Sequence, residues 1–178
     1  LSNTFQRDYY TFKNWTTEPD GGGRIYSDTQ PVSNLTAVYG GNIDLYAQWQ
    51  PKSYNITFDD GLNGMQNITQ SYVYTHPFGE LPVFKRLGYT LLGFFTEPEG
   101  GEKITAESEA PHSDTTYYAH WEANSYDIFF HTEKSYCGSE KKRVTYDKKV
   151  GILPAASMED FEFLEWYTEP YSQTYVEG

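Results

Sequence analysis

The sequence predicts a mainly β (α+β) protein assembled from tandem small modules, and three observations carry that reading. First, its aromatic and proline landmarks recur: Trp49 and Trp121, Tyr54 and Tyr126, Tyr74 and Tyr146, Pro82 and Pro154, and Pro98 and Pro170 each stand 72 residues apart. Second, short aromatic-rich runs alternate apolar and polar residues with the period of two that half-buried strands require. Third, clusters of Gly, Asn, Asp and Pro separate these runs, as turn chemistry demands. A repeat of this kind is one supersecondary unit that must pack against its neighbours.

The register breaks once. Pro19 and Pro98 lie 79 residues apart, which places seven additional residues between Ile25 and Leu45, in a surface loop. The repeat divides the 178 residues into the C-terminal part of a first unit (1–50), a complete second unit (51–122) and the N-terminal part of a third (123–178). A unit of about 70 residues is near the lower limit for an independent core. With 38% hydrophobic and 18% aromatic residues, rings rather than aliphatic chains must fill these cores.

In the second unit, Tyr54-Asn55-Ile56-Thr57-Phe58 alternates strictly, so Tyr54, Ile56 and Phe58 share the inner face while Asn55 and Thr57 point outward. Asp59 to Gly64 is a turn, and Ser71 to Tyr74 a second strand. A connector punctuated by Gly79 and Pro82 leads to a third strand, Tyr89 to Thr96. There Gly93 suggests a bulge that turns Tyr89, Leu91 and Phe94 toward the core. Asn14 and Glu165 replace this glycine in the other units, where the bulge has less support. After the Glu97-Pro98 turn, Lys103 to Glu109 contains helix formers enough for about two turns. Tyr117, Ala119 and Trp121 close the unit inward, with Tyr118 and His120 outward. Each module is thus expected to hold about four strands and one short helix, and Trp15, Trp49 and Trp166 extend the same core to the flanking units.

Charge and composition exclude several functions. A net charge of −12 argues against nucleic acid and anionic membrane as partners. No run approaches the roughly 18 apolar residues of a membrane span, and no leader pattern stands at the start, so any signal peptide has been removed or lies outside the sequence. Cys137 alone cannot build an internal disulfide and is read as a free thiol or an intermolecular link. Four sequons, at Asn14, Asn34, Asn55 and Asn67, are candidate N-glycan acceptors and point to a secreted or cell-surface chain.

Catalytic and metal-binding patterns are not found. His76, His112, His120 and His131 lack ligand spacing. The Asp59 to Gly64 turn resembles a calcium loop only in passing, since Gln70 stands where a bidentate Glu is needed. Glu97, Glu99 and Glu102 crowd a glycine-rich turn and read as a solvated acidic loop rather than a glycosidase pair. No cofactor and no catalytic residue is expected.

Gly88-Tyr89-Thr90, the aromatic Phe94, Thr96-Glu97-Pro98 and the closing Tyr117-Tyr118-Ala119-His120-Trp121 together resemble the Listeria–Bacteroides repeat, also described as the internalin B-repeat type. The resemblance covers the whole second unit and the matching parts of both flanks. It implies β-grasp-like modules in tandem in extracellular surface proteins, serving as spacers and interaction surfaces without known catalytic residues. Phe94 stands where the family usually has Trp, and Asp160-Phe161 replaces Gly-Tyr in the last unit.

Only Gln50 to Ser53 and Glu122 to Ser125 separate successive units, so neighbouring modules are expected to touch and form a stiff array. Both outer units hold part of the pattern and are read as a window on a longer array, with head-to-tail self-association into a filament as the alternative. Residues 134 to 149 carry 6 basic and 2 acidic groups, read as a solvated strand face. The expected function is a non-enzymatic structural or adhesive segment of a surface protein. The alternative is a carbohydrate-binding module, which requires the tryptophans to be exposed in a row.

Overall fold

The structure is a computed structural model that describes residues 2–131, 140–157, 159–160 and 162–167. Cys137, Phe161 and the Glu169-Pro170 landmark lie outside the described residues. The chain divides into two compact units, one of Leu1–Lys85 with Leu91–Trp121 and one of Arg86–Thr90 with Glu122–Gly178.

Strands β1 (Tyr10–Thr16), β2 (Ile25–Tyr26) and β3 (Tyr46–Pro51) form an antiparallel sheet in the order β2-β1-β3. Next along the chain, β4 (Ser53–Asp59), β5 (Ile68–Val73), β6 (Tyr89–Phe95), β7 (Lys103–Ile104) and β8 (Thr115–Ala123) form a sheet in the order β5-β4-β8-β6-β7. Its centre is parallel: β4 runs alongside β8 with Phe58 opposite Tyr117. The flanking pairs β4–β5 and β6–β7 are antiparallel. A parallel pair needs a long crossover, and here that crossover contains the rest of the module. The loop between Tyr26 and Tyr46, with its seven additional residues, is largely exposed.

Alternation in β4 places Ile56 and Phe58 in the core, each fully covered. Phe78, Phe84, Phe94, Ile104, Ala110, Tyr117 and Ala119 complete the buried cluster, with Ile68, Tyr72, Leu81, Leu91 and Trp121 half-buried against it. Rings contact rings edge-on. Phe58 meets Phe94 at 4.8 Å and 65°, Phe84 meets Phe94 at 5.2 Å, and Phe78 meets Tyr72 at 4.9 Å and Tyr117 at 5.6 Å. Such offset geometry suits the ring quadrupoles and adds about 0.5–1.5 kcal/mol per pair beyond burial. Phe78 and Phe84 come from the irregular connector between β5 and β6, which alternation cannot read because it has no period.

The expected helix over Lys103 to Glu109 is absent, and no helix appears among the described residues. Lys103–Ile104 is instead the short strand β7, paired with Phe94 and Phe95. Two competing interactions explain the change. Side-chain oxygens capture the local backbone: Thr105 N–H donates to Ser108 Oγ at 3.0 Å and Glu107 N–H to Thr105 Oγ1 at 3.3 Å. The carbonyls a helix would use accept from the connector instead, Ala106 from Gly79 and Ser108 from Phe78, at 2.9 and 3.0 Å. A two-turn helix is marginal without such competition. The fold is mainly β, and the complete module has five strands, counting the two-residue β7. No described helix is long and apolar enough to cross a membrane.

The third-strand bulge occurs where glycine is missing. The β1–β3 register slips between Phe12 and Asn14, and Asn14 occupies the position equivalent to Gly93, whose φ is 133°. Gly93 also lies against Lys103, which an added Cβ would meet at 2.5 Å. The expected four-residue linkers shrink to single residues, since Lys52 alone separates β3 from β4 and Asn124 alone separates β8 from β9 (Ser125–Phe130).

In the compact unit of Arg86–Thr90 with Glu122–Gly178, β9 pairs antiparallel with β10 (Glu140–Thr145). Phe130 is buried there against Trp166, at 4.9 Å between ring centroids. Within the basic stretch, Lys141 pairs with Asp127 at 3.0 Å on an exposed face, and Lys142 donates to the Ile152 carbonyl. An exposed pair of this kind contributes little to stability.

Phe58→Ala is expected to lower stability by about 3–5 kcal/mol, as deletion of a buried ring does. Leu92→Ala, on the opposite, 43% exposed face of β6, is expected to change it by less than about 0.5 kcal/mol. Urea unfolding followed by tryptophan fluorescence measures both.

Candidate functional site

The four sequons occupy four different environments. Asn55 sits on the outer face of β4, exposed, its backbone N–H donating to Asp114 Oδ1 at 2.8 Å. Asn34 is exposed in the long loop with a left-handed φ of 52°, a conformation asparagine tolerates. Asn14 is half-buried in the β1 bulge, and its Oδ1 is buried without a hydrogen-bond partner. Asn67 has a structural task, for its Oδ1 accepts from Asp60 N–H at 2.8 Å and its Nδ2 donates to Asp59 Oδ2 at 3.3 Å. The sequon threonines Thr57 and Thr69 face each other across β4–β5, hydroxyl to hydroxyl at 2.9 Å.

Asn67 belongs to a turn organised by Asp60, a residue the sequence reading did not single out. Asp60 has no solvent exposure. Its Oδ1 accepts from Leu62 and Gly64 N–H at 2.8 and 3.1 Å, and its Oδ2 from Gln66 N–H at 2.9 Å. Burial pushes the carboxyl pKa up, but the backbone donors of Gln66, Leu62 and Gly64 together outweigh it and hold the group below its ordinary value. The Asp60 carbonyl accepts the Trp121 indole N–H at 2.9 Å, fastening the turn to the closing strand. Gln66 fastens it to the connector, donating to the Lys85 carbonyl at 2.9 Å and accepting Lys85 N–H at 3.1 Å. Asp59 to Gly64 is therefore a structural turn whose carboxylate is fully engaged with backbone.

None of the four tryptophans is exposed. Trp15 is half-buried against Phe12 and Phe5, at 5.2 and 5.9 Å. Trp49 meets Phe12 edge-on at 5.7 Å. Trp121 packs on the central core. Trp166 is half-buried between Phe130 and Phe163 and donates to the Pro154 carbonyl at 3.0 Å. The row of exposed rings that a sugar platform needs is not formed by these residues. Tyr54 and Tyr89, both expected inward, are half-buried. Tyr54 lines an open hollow of about 840 Å³ together with Phe5, Tyr9, Tyr10, Phe12 and Trp49.

The acidic turns are braced from β3 and β8. His120 stacks on Phe95 at 4.0 Å and 8°, and its Nε2 lies 2.9 Å from the Glu97 carbonyl. A carbonyl can only accept, so that nitrogen carries the proton. In the first repeat the equivalent Gln48 donates to Thr16 Oγ1 at 2.9 Å and toward the Pro19 carbonyl at 3.5 Å. Glu97, Glu99 and Glu102 remain exposed. Among the described residues no three His, Cys, Asp or Glu side chains converge to hold a metal ion.

The sequence-family model of the Listeria-Bacteroides repeat domain matches residues 1–48, 54–120 and 126–177. Over 173 residues, 92% of this chain, the sequence is 30% identical to a protein of Evansella cellulosilytica described as a Gly-rich membrane protein, of which it covers 20%. Over 122 residues, 66% of this chain, it is 30% identical to Internalin H of Listeria monocytogenes, again covering 20%. A second Evansella cellulosilytica protein, described as a membrane protein, is 26% identical over 129 residues, 72% of this chain and 19% of that protein. The chain thus spans about a fifth of the length of the curated relatives it matches.

Two substitution pairs separate structural from surface positions. Asn67→Ala is expected to cost about 1–2 kcal/mol through its two lost turn bonds, whereas Asn55→Gln changes stability by less than about 0.5 kcal/mol. Asp60→Ala leaves three backbone donors unpaired and is expected to cost about 2–3 kcal/mol at neutral pH. Because the folded state favours the Asp60 carboxylate, its contribution is fully present above the unfolded value of 3.8 and is lost as pH falls through the lowered folded value. The stability gap between the wild type and Asp60→Asn should therefore narrow on acidification below pH 3.8. Chemical unfolding at a series of pH values measures it.

Proposed function

The chain belongs to the Listeria-Bacteroides repeat domain family, and on that premise we propose that it is a non-enzymatic spacer segment of an extracellular, cell-surface protein. The observation that carries the reading is where the aromatic side chains go. Phe58, Phe94 and Tyr117 are buried, and all four tryptophans are half-buried against other rings or core side chains. These are the large groups with which a binding surface would anchor a ligand, and they are used instead to build modules. The acidic turn residues Glu97, Glu99 and Glu102 are exposed, and the exposed apolar side chains, such as Val38, Tyr39, Leu87 and Ile152, lie outside this packed set of rings.

The relatives point the same way, one being described as an internalin and two as membrane proteins. As a spacer, the segment separates or displays other parts of a longer polypeptide, and its direct partners are neighbouring repeats. Asn34 and Asn55 present free amides to solvent and are the sequons fitted to carry sugar. Asn14 and Asn67 are fitted to packing and to the Asp60 turn.

Sugar binding is a second reading, favoured by the ring-lined hollow at Tyr10, Phe12, Trp49 and Tyr54. Tryptophan-fluorescence titration of the 178-residue chain with soluble oligosaccharides separates the two. The spacer reading expects no saturable change up to about 1 mM, the weak end of specific affinity. Antibodies raised against the chain should also label intact, unpermeabilised cells of the source organism. Saturable binding well below that concentration, or label restricted to permeabilised cells, would overturn the proposal.

A further inference from the structure

Each single-residue linker has both of its backbone polar groups engaged, one with the repeat before it and one with the repeat after it. Lys52 N–H donates to the Tyr9 carbonyl at 2.9 Å, and the Lys52 carbonyl accepts from Tyr74 N–H at 2.9 Å. At the other linker Asn124 N–H donates to the Gly88 carbonyl at 2.8 Å, and the Asn124 carbonyl accepts from Tyr146 N–H at 2.8 Å. The two arrangements are built from different residues at equivalent positions of the repeat.

The surroundings repeat as well. In one, Tyr10 N–H bonds back to the Arg7 carbonyl at 3.2 Å and the Arg7 guanidinium lies 3.9 Å above the Tyr10 ring. In the other, Tyr89 N–H bonds back to Arg86 at 3.1 Å and that guanidinium lies 3.5 Å above the Tyr89 ring. Tyr10 meets Tyr74 edge-on at 6.0 Å and 79°, while Tyr89 meets Tyr146 at 5.6 Å and 78°. The carbonyl-bearing residue has a left-handed φ in both, 64° at Tyr9 and 76° at Gly88. That kink aims its carbonyl at the linker. At Asn124 two side-chain bonds reinforce the set, Thr90 Oγ1 to Asn124 Oδ1 at 2.6 Å and Tyr89 Oη to Asp147 Oδ2 at 2.9 Å.

We propose that this constellation is a clasp that locks each linker to a turn of one repeat and a hairpin of the next. The linker cannot rotate about its own φ or ψ without breaking one of its two backbone bonds, so it behaves as part of a strand rather than as a hinge. The partner recognised is a neighbouring repeat carrying Tyr at the end of its second strand, and the recognising element is an Arg-x-x-Tyr turn with a left-handed residue before the Tyr. The clasp stands on its own geometry and does not depend on the spacer reading. Its test reads amide protection alone.

Hydrogen exchange of the full 178-residue chain, followed by NMR, gives the test. The amides of Lys52, Tyr74, Asn124 and Tyr146 should exchange at least about 100-fold slower than that of Asn42 in the exposed loop, in the range of strand amides. Tyr146→Ala should return Asn124 to the rate of Asn42 while Ile56 and Phe58 keep their protection. Gly88→Ala, whose Cβ would meet the Tyr146 ring at 2.3 Å, should do the same at Asn124 and leave Lys52 and Tyr74 protected. Linker amides exchanging like Asn42 in the wild type would overturn the clasp. So would Asn124 protection that survives both substitutions.

Discussion

The contact between Phe58 and Phe94 is the constraint on which the complete module depends. Phe58 comes from β4 and Phe94 from β6, two strands that are not neighbours in the sheet but flank β8 on either side. Their rings bridge the strand between them and give Phe78, Phe84 and Tyr117 a surface to pack on. A module of this size has no helix and no disulfide among its described residues, so the apolar area it can bury must come from few, large side chains. That requirement explains why the connector between β5 and β6, irregular as it is, must turn Phe78 and Phe84 inward.

The sequence revealed the parts of this arrangement that have a period. Ile56, Phe58, Tyr117 and Ala119 follow from alternation because β4 and β8 are straight strands with one covered face. Phe94 required a further inference, since a bulge shifts the alternation, and Gly93 supplied the hint. A register slip is present at Asn14, where no glycine marks it, so such a feature does not require that residue. The helix over Lys103 to Glu109 was misread because propensity is a weak local preference, and here Thr105 and Ser108 offered the backbone other partners. Asp60 was legible only as a turn residue. Its turn is tied to distant parts of the chain, to Trp121 through the Asp60 carbonyl and to Lys85 through the Gln66 side chain, and alternation reads neither contact.

The same distinction applies to the sequons. A sequon is a pattern of three residues and takes no account of the fold around it, so Asn14, Asn34, Asn55 and Asn67 look equivalent in sequence. In the structure they are a bulge residue, a loop tip, an outward strand residue and a turn brace. Asn67 is held by the two bonds of its amide and Asn14 by half-burial in the bulge, whereas the side chains of Asn34 and Asn55 stand in solvent. The likeness of four short patterns therefore resolves into two structural roles and two surface ones.

The kinked position before the third strand shows how a repeat keeps its geometry while its residues change. Tyr9, Gly88 and Asp160 occupy that position, and all three have a left-handed φ, of 64°, 76° and 64°. Glycine takes this conformation without strain, whereas a residue with a Cβ sacrifices roughly 1–2 kcal/mol to do so. At Gly88 the absence of a Cβ lets the Tyr146 ring lie directly on the backbone. At Tyr9 the Cβ is present, and its ring meets Tyr74 at 5.1 Å and His112 at 4.5 Å. Two different side-chain solutions thus serve one backbone direction, the one that points a carbonyl at the linker. What Tyr9 and Gly88 share is the hydrogen bond to the linker rather than the residue, which is why a search for identical side chains passes over the position.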